Sequence, residues 1–155
     1  MNKIDTDISI EILPMSVEDI DDVLIVEHQC FSTPWSRESF INELTQNKIA
    51  IYMVAKCNKT IVGYAGMWKV FQEGHITNIA VSPEYQRKKI GSCLIQQLMK
   101  VAKINDITRM TLEVGETNIA AQNLYSKHGF YSAGIRKDYY ADRRENAIIM
   151  WLEII

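Results

Sequence analysis

The stretch SPEYQRKKIGSC, residues 82–93, sets three consecutive cations, Arg87, Lys88 and Lys89, directly before Ile90, Gly91 and a segment of helical periodicity. A helix N-terminus exposes unpaired backbone N–H groups and carries partial positive charge, so binding a phosphate-like anion is the chemistry this stretch could do. Gly91 would let the backbone come close to such an anion, and the cations would add charge around it. A solvated charge run at an ordinary strand-to-helix connection has the same composition. The pattern is neither a P-loop nor a dinucleotide fingerprint, since both need more glycines in fixed places. On spacing alone, both readings stay open. The remaining reactive types say less. Cys30, Cys57 and Cys93 follow no metal spacing, and Cys93 falls at the apolar positions of its segment and reads as core. His28, His75 and His128 have no ligand spacing either, so no metal site is expected.

The elements that must position these residues follow from periodicity. Residues 8–13 alternate and read as a strand stopped by Pro14. Ser16 can cap a helix through VEDIDDVLIVEHQCF, with Val17, Ile20, Val23, Leu24 and Phe31 on its apolar face. STPW breaks that helix, and Ser36 caps a shorter one through RESFINELTQ. IAIYMVAKC and TIVGYAGMWKV are β-rich runs joined at Asn58-Lys59, a hairpin signal. A second turn at QEG leads into HITNIAV, another strand. Ile90, Leu94, Leu98, Val101 and Ala102 then recur at helical spacing. RMTLEV reads as a strand, and NIAAQNLYSKH as a helix that Asn118 can cap and Gly129 can end. Two last strands are expected over 130–136 and 147–154. The order β, α, α, β, β, β, α, β, α, β, β contains one strand–helix–strand passage, from HITNIAV to RMTLEV. It predicts an α/β fold: a mixed, mostly antiparallel central sheet with a parallel or splayed strand pair and helices on both faces.

The chain has 155 residues, 47% hydrophobic and 23% charged, with a net charge of -2. That suits one domain over 1–155 with a proper core, and does not suit an electrostatic nucleic-acid binder. Charge is uneven: eight acids within residues 1–36 (Asp5, Asp7, Glu11, Glu18, Asp19, Asp21, Asp22, Glu27) face Lys3 alone, about -7. An odd number of cysteines without a framework suits a reducing, cytoplasmic compartment. No apolar run approaches the ~20 residues of a membrane span, and no signal peptide is evident.

Two segments carry a resemblance to a known family. NIAVSPEYQRKKIGSCLI resembles the acetyl-CoA signature of the GNAT superfamily of N-acetyltransferases, Gln/Arg-x-x-Gly-x-Gly/Ala, with Gln86 and Gly91 at its first and last positions and Lys89 where the first glycine is expected. TLEVGETNIAAQNLYSKHGF resembles the family's later segment, with Asn118, Ala121, Leu124 and Tyr125 in its Asn-x-x-Ala-x-x-Leu-Tyr order. FSTPWS and IRKDYY…ENAIIM are similar to the RimI type, the bacterial alanine N-acetyltransferases of ribosomal proteins. The likeness runs through nearly the whole chain in the right order.

The resemblance implies a GNAT fold and transfer of acetyl from acetyl-CoA to a protein N-terminal amine. At the level of the RimI type, the acceptor is the N-terminal alanine of small-subunit ribosomal protein number eighteen. It also assigns roles. Main chain at Ile79, Ala80 and Val81 would bind the cofactor arm. Arg87, Lys88, Lys89, Ile90, Gly91 and Ser92 would hold the pyrophosphate, and Asn118 would touch the cofactor. Glu113 would be the general base and Tyr125 the general acid. Without the resemblance, Glu113 reads as an exposed strand position and Tyr125 as a ring packed on its helix. The chemistry is consistent: an α-amine of pKa near ~8 is largely protonated at neutral pH and needs a base, and a thiolate leaving group needs an acid. Pro34 and Trp35 would wall the peptide site; Tyr139 and Tyr140 either pack on the sheet edge or lean over a peptide. Alternatives are acetylation of lysine side chains or a small amine, or a catalytically silent CoA-binding module. A monomer is expected. Lys89, followed by β-branched Ile90, is expected in an ordinary helical conformation.

Overall fold

Strand formation begins where apolar and polar residues alternate, and the computed structural model describes residues 9–154. Ile8, Asp5 and Asp7 therefore lie outside the described residues. The first strand, β1, is Ile10–Pro14. Pro14 closes the strand from inside it, which is tolerated because β1 is the sheet's edge and a missing N–H breaks no ladder there. Ser16 donates its backbone N–H to the Asp19 carboxylate (2.9 Å) over one 3-10 turn, and α1 follows as Ile20–Cys30. Ile20, Val23 and Val26 are its buried face. Val17 and Phe31, expected on that face, are exposed: Val17 belongs to the preceding turn, and the chain is already extended at Phe31. Ser36 caps α2, Arg37–Thr45, by accepting from the N–H of Ser39 (3.1 Å).

The strands β2 (Ala50–Cys57) and β3 (Thr60–Val70) form the predicted hairpin, and Asn58 and Lys59 both take the positive φ of a primed turn, 50° and 72°. The next turn falls at Phe71 and Gln72, one residue ahead of the expected position, so that β4 runs Glu73–Val81. Then come α3 (Ile90–Ile104), β5 (Arg109–Gly115), α4 (Ile119–Lys127), β6 (Tyr131–Tyr140) and β7 (Glu145–Glu153). The seven strands order as β1-β2-β3-β4-β5-β7-β6, antiparallel except for β4 and β5.

Helices cover both faces, as the pattern predicts. One core joins Leu94, Ile95 and Leu98 of α3 and Tyr125 of α4 to Met110, Leu112 and Val114 of β5. The other joins Ile20, Val23, Val26 and Phe40 to Val54, Tyr64 and Ala80. Alternation along β5 therefore sends Met110, Leu112 and Val114 to the first face and leaves Glu113 on the second.

Two irregularities open the sheet at its centre. The parallel pair β4–β5 is short: Glu73, Gly74 and His75 face Arg109, Met110 and Thr111, and beyond them the strands part. At the same level β4 carries a bulge, because Gly66 faces Asn78 while Met67 faces Ile76, leaving Thr77 as the extra residue. Bulges bend a strand and re-aim its side chains, and they concentrate next to active sites.

Candidate active site

The gap between β4 and β5 becomes a cleft of ≈ 530 Å³. Its floor is His75, Ile76, Thr77, Asn78 and Ile79 of β4 with Leu112, Glu113, Val114 and Gly115 of β5. Phe31, Thr33 and Trp35 between α1 and α2 form one wall, and Tyr139 and Tyr140 at the end of β6 with Arg143 of the β6–β7 turn form the opposite one. The two walls touch where the Thr33 hydroxyl donates to Asp142 (3.2 Å).

Glu113 is a half-buried carboxylate on the cleft floor. Arg136 stands 3.6 Å from one carboxylate oxygen, and the Tyr139 hydroxyl is 3.5 Å from the other. Both distances are long for tight pairing, so the carboxylate is held loosely and keeps acceptor capacity. Tyr125, 9% exposed, reaches the cleft from α4 with its ring edge-to-face on Phe130 at 5.9 Å. Burial first, and then the neighbouring Tyr140, push its pKa up to about 12. Its proton is thus firmly held at any ordinary pH. Tyr139 and Tyr140 pack edge-to-face on each other (5.0 Å) and line the cleft. Arg143 stacks on the Tyr140 ring, 4.0 Å from its centroid.

The splay leaves one edge of β4 unpaired beyond His75. The N–H of Ser82 donates to Val62 (2.8 Å), so the period-two ladder engages Ala80 and Ser82 with β3 and turns Ile79 and Val81 toward the open side. The Val81 carbonyl is already engaged, accepting from the Cys30 thiol (3.2 Å) and the Gln86 amide (3.1 Å). Ile79 therefore keeps its main-chain polar groups on the open side of the gap, while Ala80 turns its own toward β3. Burial, then the Glu27 charge, push the Cys30 thiol up, away from the thiolate a nucleophile needs.

Past β4, the basic stretch forms a cradle. Arg87 and Lys89 both have positive φ, 64° and 66°, with Lys88 between them outside that region. Positive φ at such positions can turn neighbouring N–H groups toward one point, a geometry suited to an anion, here at the mouth of a fifteen-residue helix. Lys89 is left-handed (φ 66°, ψ 16°), so the helical conformation expected for it is wrong. The loop changes the sign of φ just before the helix, against the preference of a residue that carries a Cβ. Gly91 lies inside the first helical turn, and a Cβ there would meet Leu124 Cδ2 at 3.1 Å, so its smallness also serves the approach of α4. Ile90 is buried, and the Ser92 hydroxyl meets His128 Nε2 (3.0 Å). Asn118 caps α4 by accepting from the N–H of Ala121 (3.1 Å) and also lines the cleft. The structure thus gathers Ile79, Glu113, Asn118 and Tyr125 in one cleft and sets residues 87–92 beyond the end of β4. Among the described residues no cluster of three metal-ligating side chains occurs.

Several residues of the site carry no signal in the sequence. Glu27, 1% exposed, accepts from the Tyr64 hydroxyl and from the N–H of Trp35 (2.9 Å), and so fixes the α1–α2 wall. Glu43 accepts from Trp68 Nε1 (2.6 Å) and from the Tyr52 hydroxyl (2.7 Å), which also meets Thr77 of the bulge (3.1 Å). Glu145 ties the β5–α4 loop to the β6–β7 turn through Thr117 and Arg143. Tyr64 lies 37 residues from Glu27, Trp68 lies 25 from Glu43 and Thr117 lies 28 from Glu145, so only the fold brings these partners together.

Residues 20–130 match the acetyltransferase (GNAT) family. A proposed ribosomal protein bS18-alanine N-acetyltransferase of Bacillus subtilis (strain 168) is 42% identical over 140 residues, covering 90% of this chain and 93% of the relative. The ribosomal protein bS18-alanine N-acetyltransferase of Escherichia coli (strain K12) is 34% identical over 131 residues, covering 83% and 87%. A crystal structure of the ribosomal-protein-S18-alanine N-acetyltransferase from Escherichia coli superposes with a TM-score of 0.86 at 32% identity, covering 94% of each chain.

Proposed function

We propose that this chain, which belongs to the acetyltransferase (GNAT) family and is an acetyl-CoA-dependent N-acetyltransferase, acetylates the N-terminal alanine of a small-subunit ribosomal protein of the bS18 kind. The observation that carries the chemistry is the splay. It sets a carboxylate, Glu113, and a buried phenol, Tyr125, on opposite sides of a strand edge with free polar groups. The acceptor is drawn from the relatives, two of which at 42% and 34% identity bear that activity in their names.

The residues present fit acetyl-CoA. The loop at Arg87 and Lys89, with the N-terminus of α3, suits a pyrophosphate, and the edge of β4 at Ile79 suits an amide-containing arm. Asn118 stands at the start of the neighbouring helix. When bound, acetyl-CoA supplies the activated acyl carbonyl and a thiolate leaving group.

Glu113 removes one proton from the substrate ammonium, directly or through a water, and frees the nitrogen lone pair to form the new C–N bond. The edge N–H of Ile79 is the donor placed to stabilise negative charge developing on the acyl oxygen. As the C–S bond breaks, the Tyr125 hydroxyl gives its proton to the sulfur. The second nitrogen proton leaves to solvent as the amide forms. Incubation with acetyl-CoA and a peptide set led by alanine, other residues or internal lysine, read by mass spectrometry, tests the acceptor. Acetylation confined to N-terminal alanine is the expected result; preferential lysine acetylation would overturn it.

A further inference from the structure

A chain of three polar side chains, none used in the reaction above, runs from behind the α1–α2 wall to the cleft floor. At its inner end, buried Glu27 accepts the hydroxyl proton of Tyr64. Burial and the Glu27 charge drive the Tyr64 pKa far up, so that proton stays on the oxygen. With its one proton committed to Glu27, the Tyr64 oxygen can only accept from its other neighbour, Asn78. Of the two ends of the Asn78 amide, the nitrogen is therefore the one suited to Tyr64. The other end, Asn78 Oδ1, is buried and has no hydrogen-bond partner, the one such side-chain atom among the described residues.

An unpaired buried acceptor is costly, and each one in a folded protein calls for a reason. Asn78 has a particular place. It belongs to the bulge of β4, lines the cleft and shares the sheet face of Ala80, the face on which Glu113 lies. The β4–β5 register sets His75 against Thr111, and two residues further on it brings Glu113 level with the bulge at Thr77 and Asn78. The two side chains thus flank the split from its opposite edges. The terminal torsion of asparagine is soft, so the oxygen can turn to a donor entering the cleft.

We infer that Asn78 Oδ1 is an acceptor for the substrate's amine, orienting the nitrogen while Glu113 deprotonates it. This rests on the amine-acetylating reading given above. A primary ammonium brings three protons: Glu113 takes one, Asn78 Oδ1 accepts a hydrogen bond from a second, and the lone pair points to the acyl carbon. Glu27 and Tyr64 are positioning residues, since they touch no substrate atom and act only through the Asn78 amide beside them.

The test is a cycle of variant against ligand, in the presence of CoA so that no turnover intervenes. Binding of an alanine-led peptide is compared by calorimetry with the same peptide in which the first residue lacks its amino group. The wild type should prefer the amine. Asn78→Leu, close in shape but without an acceptor, should cut that preference about tenfold or more, the usual worth of a hydrogen bond to a charged group. Affinity for the des-amino peptide and for CoA should be unchanged. Asn78→Ala, which cannot overpack the site, should behave alike if leucine disturbs the fold. Equal losses for both peptides, or an undiminished preference for the amine, would overturn the role of Asn78. A wild type that neither binds nor acetylates the alanine peptide would overturn the acceptor reading, and this inference with it.

Discussion

In the proposed reaction three side chains carry separate parts, and each makes a separate prediction. Glu113→Gln keeps the shape and removes the base, so turnover should fall by about 10²–10⁴-fold while acetyl-CoA affinity holds. Steady-state rates at neutral pH beside a cofactor titration check this, and an unchanged rate would remove Glu113 from the mechanism. Tyr125→Phe keeps the ring on Phe130 and deletes only the proton. Turnover should drop without a matching loss of thermal stability. Because burial raises the Tyr125 pKa to about 12, the wild-type rate should show no descending limb from this group up to roughly pH 10. Lys89 is the third. A left-handed lysine costs of order 1 kcal/mol, and that cost thins the population holding the loop in this form. The charge it offers an anion is exposed and screened, hence worth less. Lys89→Gly should therefore tighten acetyl-CoA binding by a few-fold, more clearly at high salt, where the lost charge matters least. Titration at two salt concentrations decides the sign.

At the scale of elements, the site depends on how loops are pinned to strands. Glu145, at the start of β7, accepts from both the N–H (2.8 Å) and the hydroxyl (2.6 Å) of Thr117, and pairs with Arg143. It occupies the space of any side chain at Gly115, where a Cβ would lie 2.4 Å from its carboxylate. The loop so held carries Asn118 and starts the helix that bears Tyr125. The Thr117 hydroxyl, then Arg143 and the Thr117 N–H, hold the Glu145 carboxyl well below the ordinary range, at about 2. A depressed carboxylate stabilises the fold at pH above its unfolded value near ~4.3 and loses that contribution as pH falls toward the folded one. Glu145→Gln should thus lower stability at neutral pH and flatten the dependence of stability on pH between about 4.5 and 2. Urea unfolding across that range tests it, and parallel curves for the two proteins would deny Glu145 its pinning role.

Across the whole molecule, the legible part of the protein is what short-range physics writes. Alternation in HITNIAV and RMTLEV, helical spacing from Ile90 to Ala102, and the Asn58-Lys59 turn each dictate local conformation, and the structure has them at those places. The GNAT resemblance is legible for the same reason, since its two motifs are short segments read along the chain. Lys89 marks the first limit: neighbouring residues argued for a helical backbone, while the folded loop takes the opposite sign of φ. Glu27, Tyr64 and Asn78 mark the second. Each is unremarkable within its own segment, and 37 residues separate the carboxylate from its tyrosine. Their meaning lies in burial and proton direction, which exist only once α1 is laid on β3 and β4. By itself the sequence determined the elements, their order and the family, because propensity and motif are local. Tertiary structure alone decided at which residues β4 and β5 part, where the orphaned acceptor lies and which loops are tied, because those follow from contacts between residues distant in the chain.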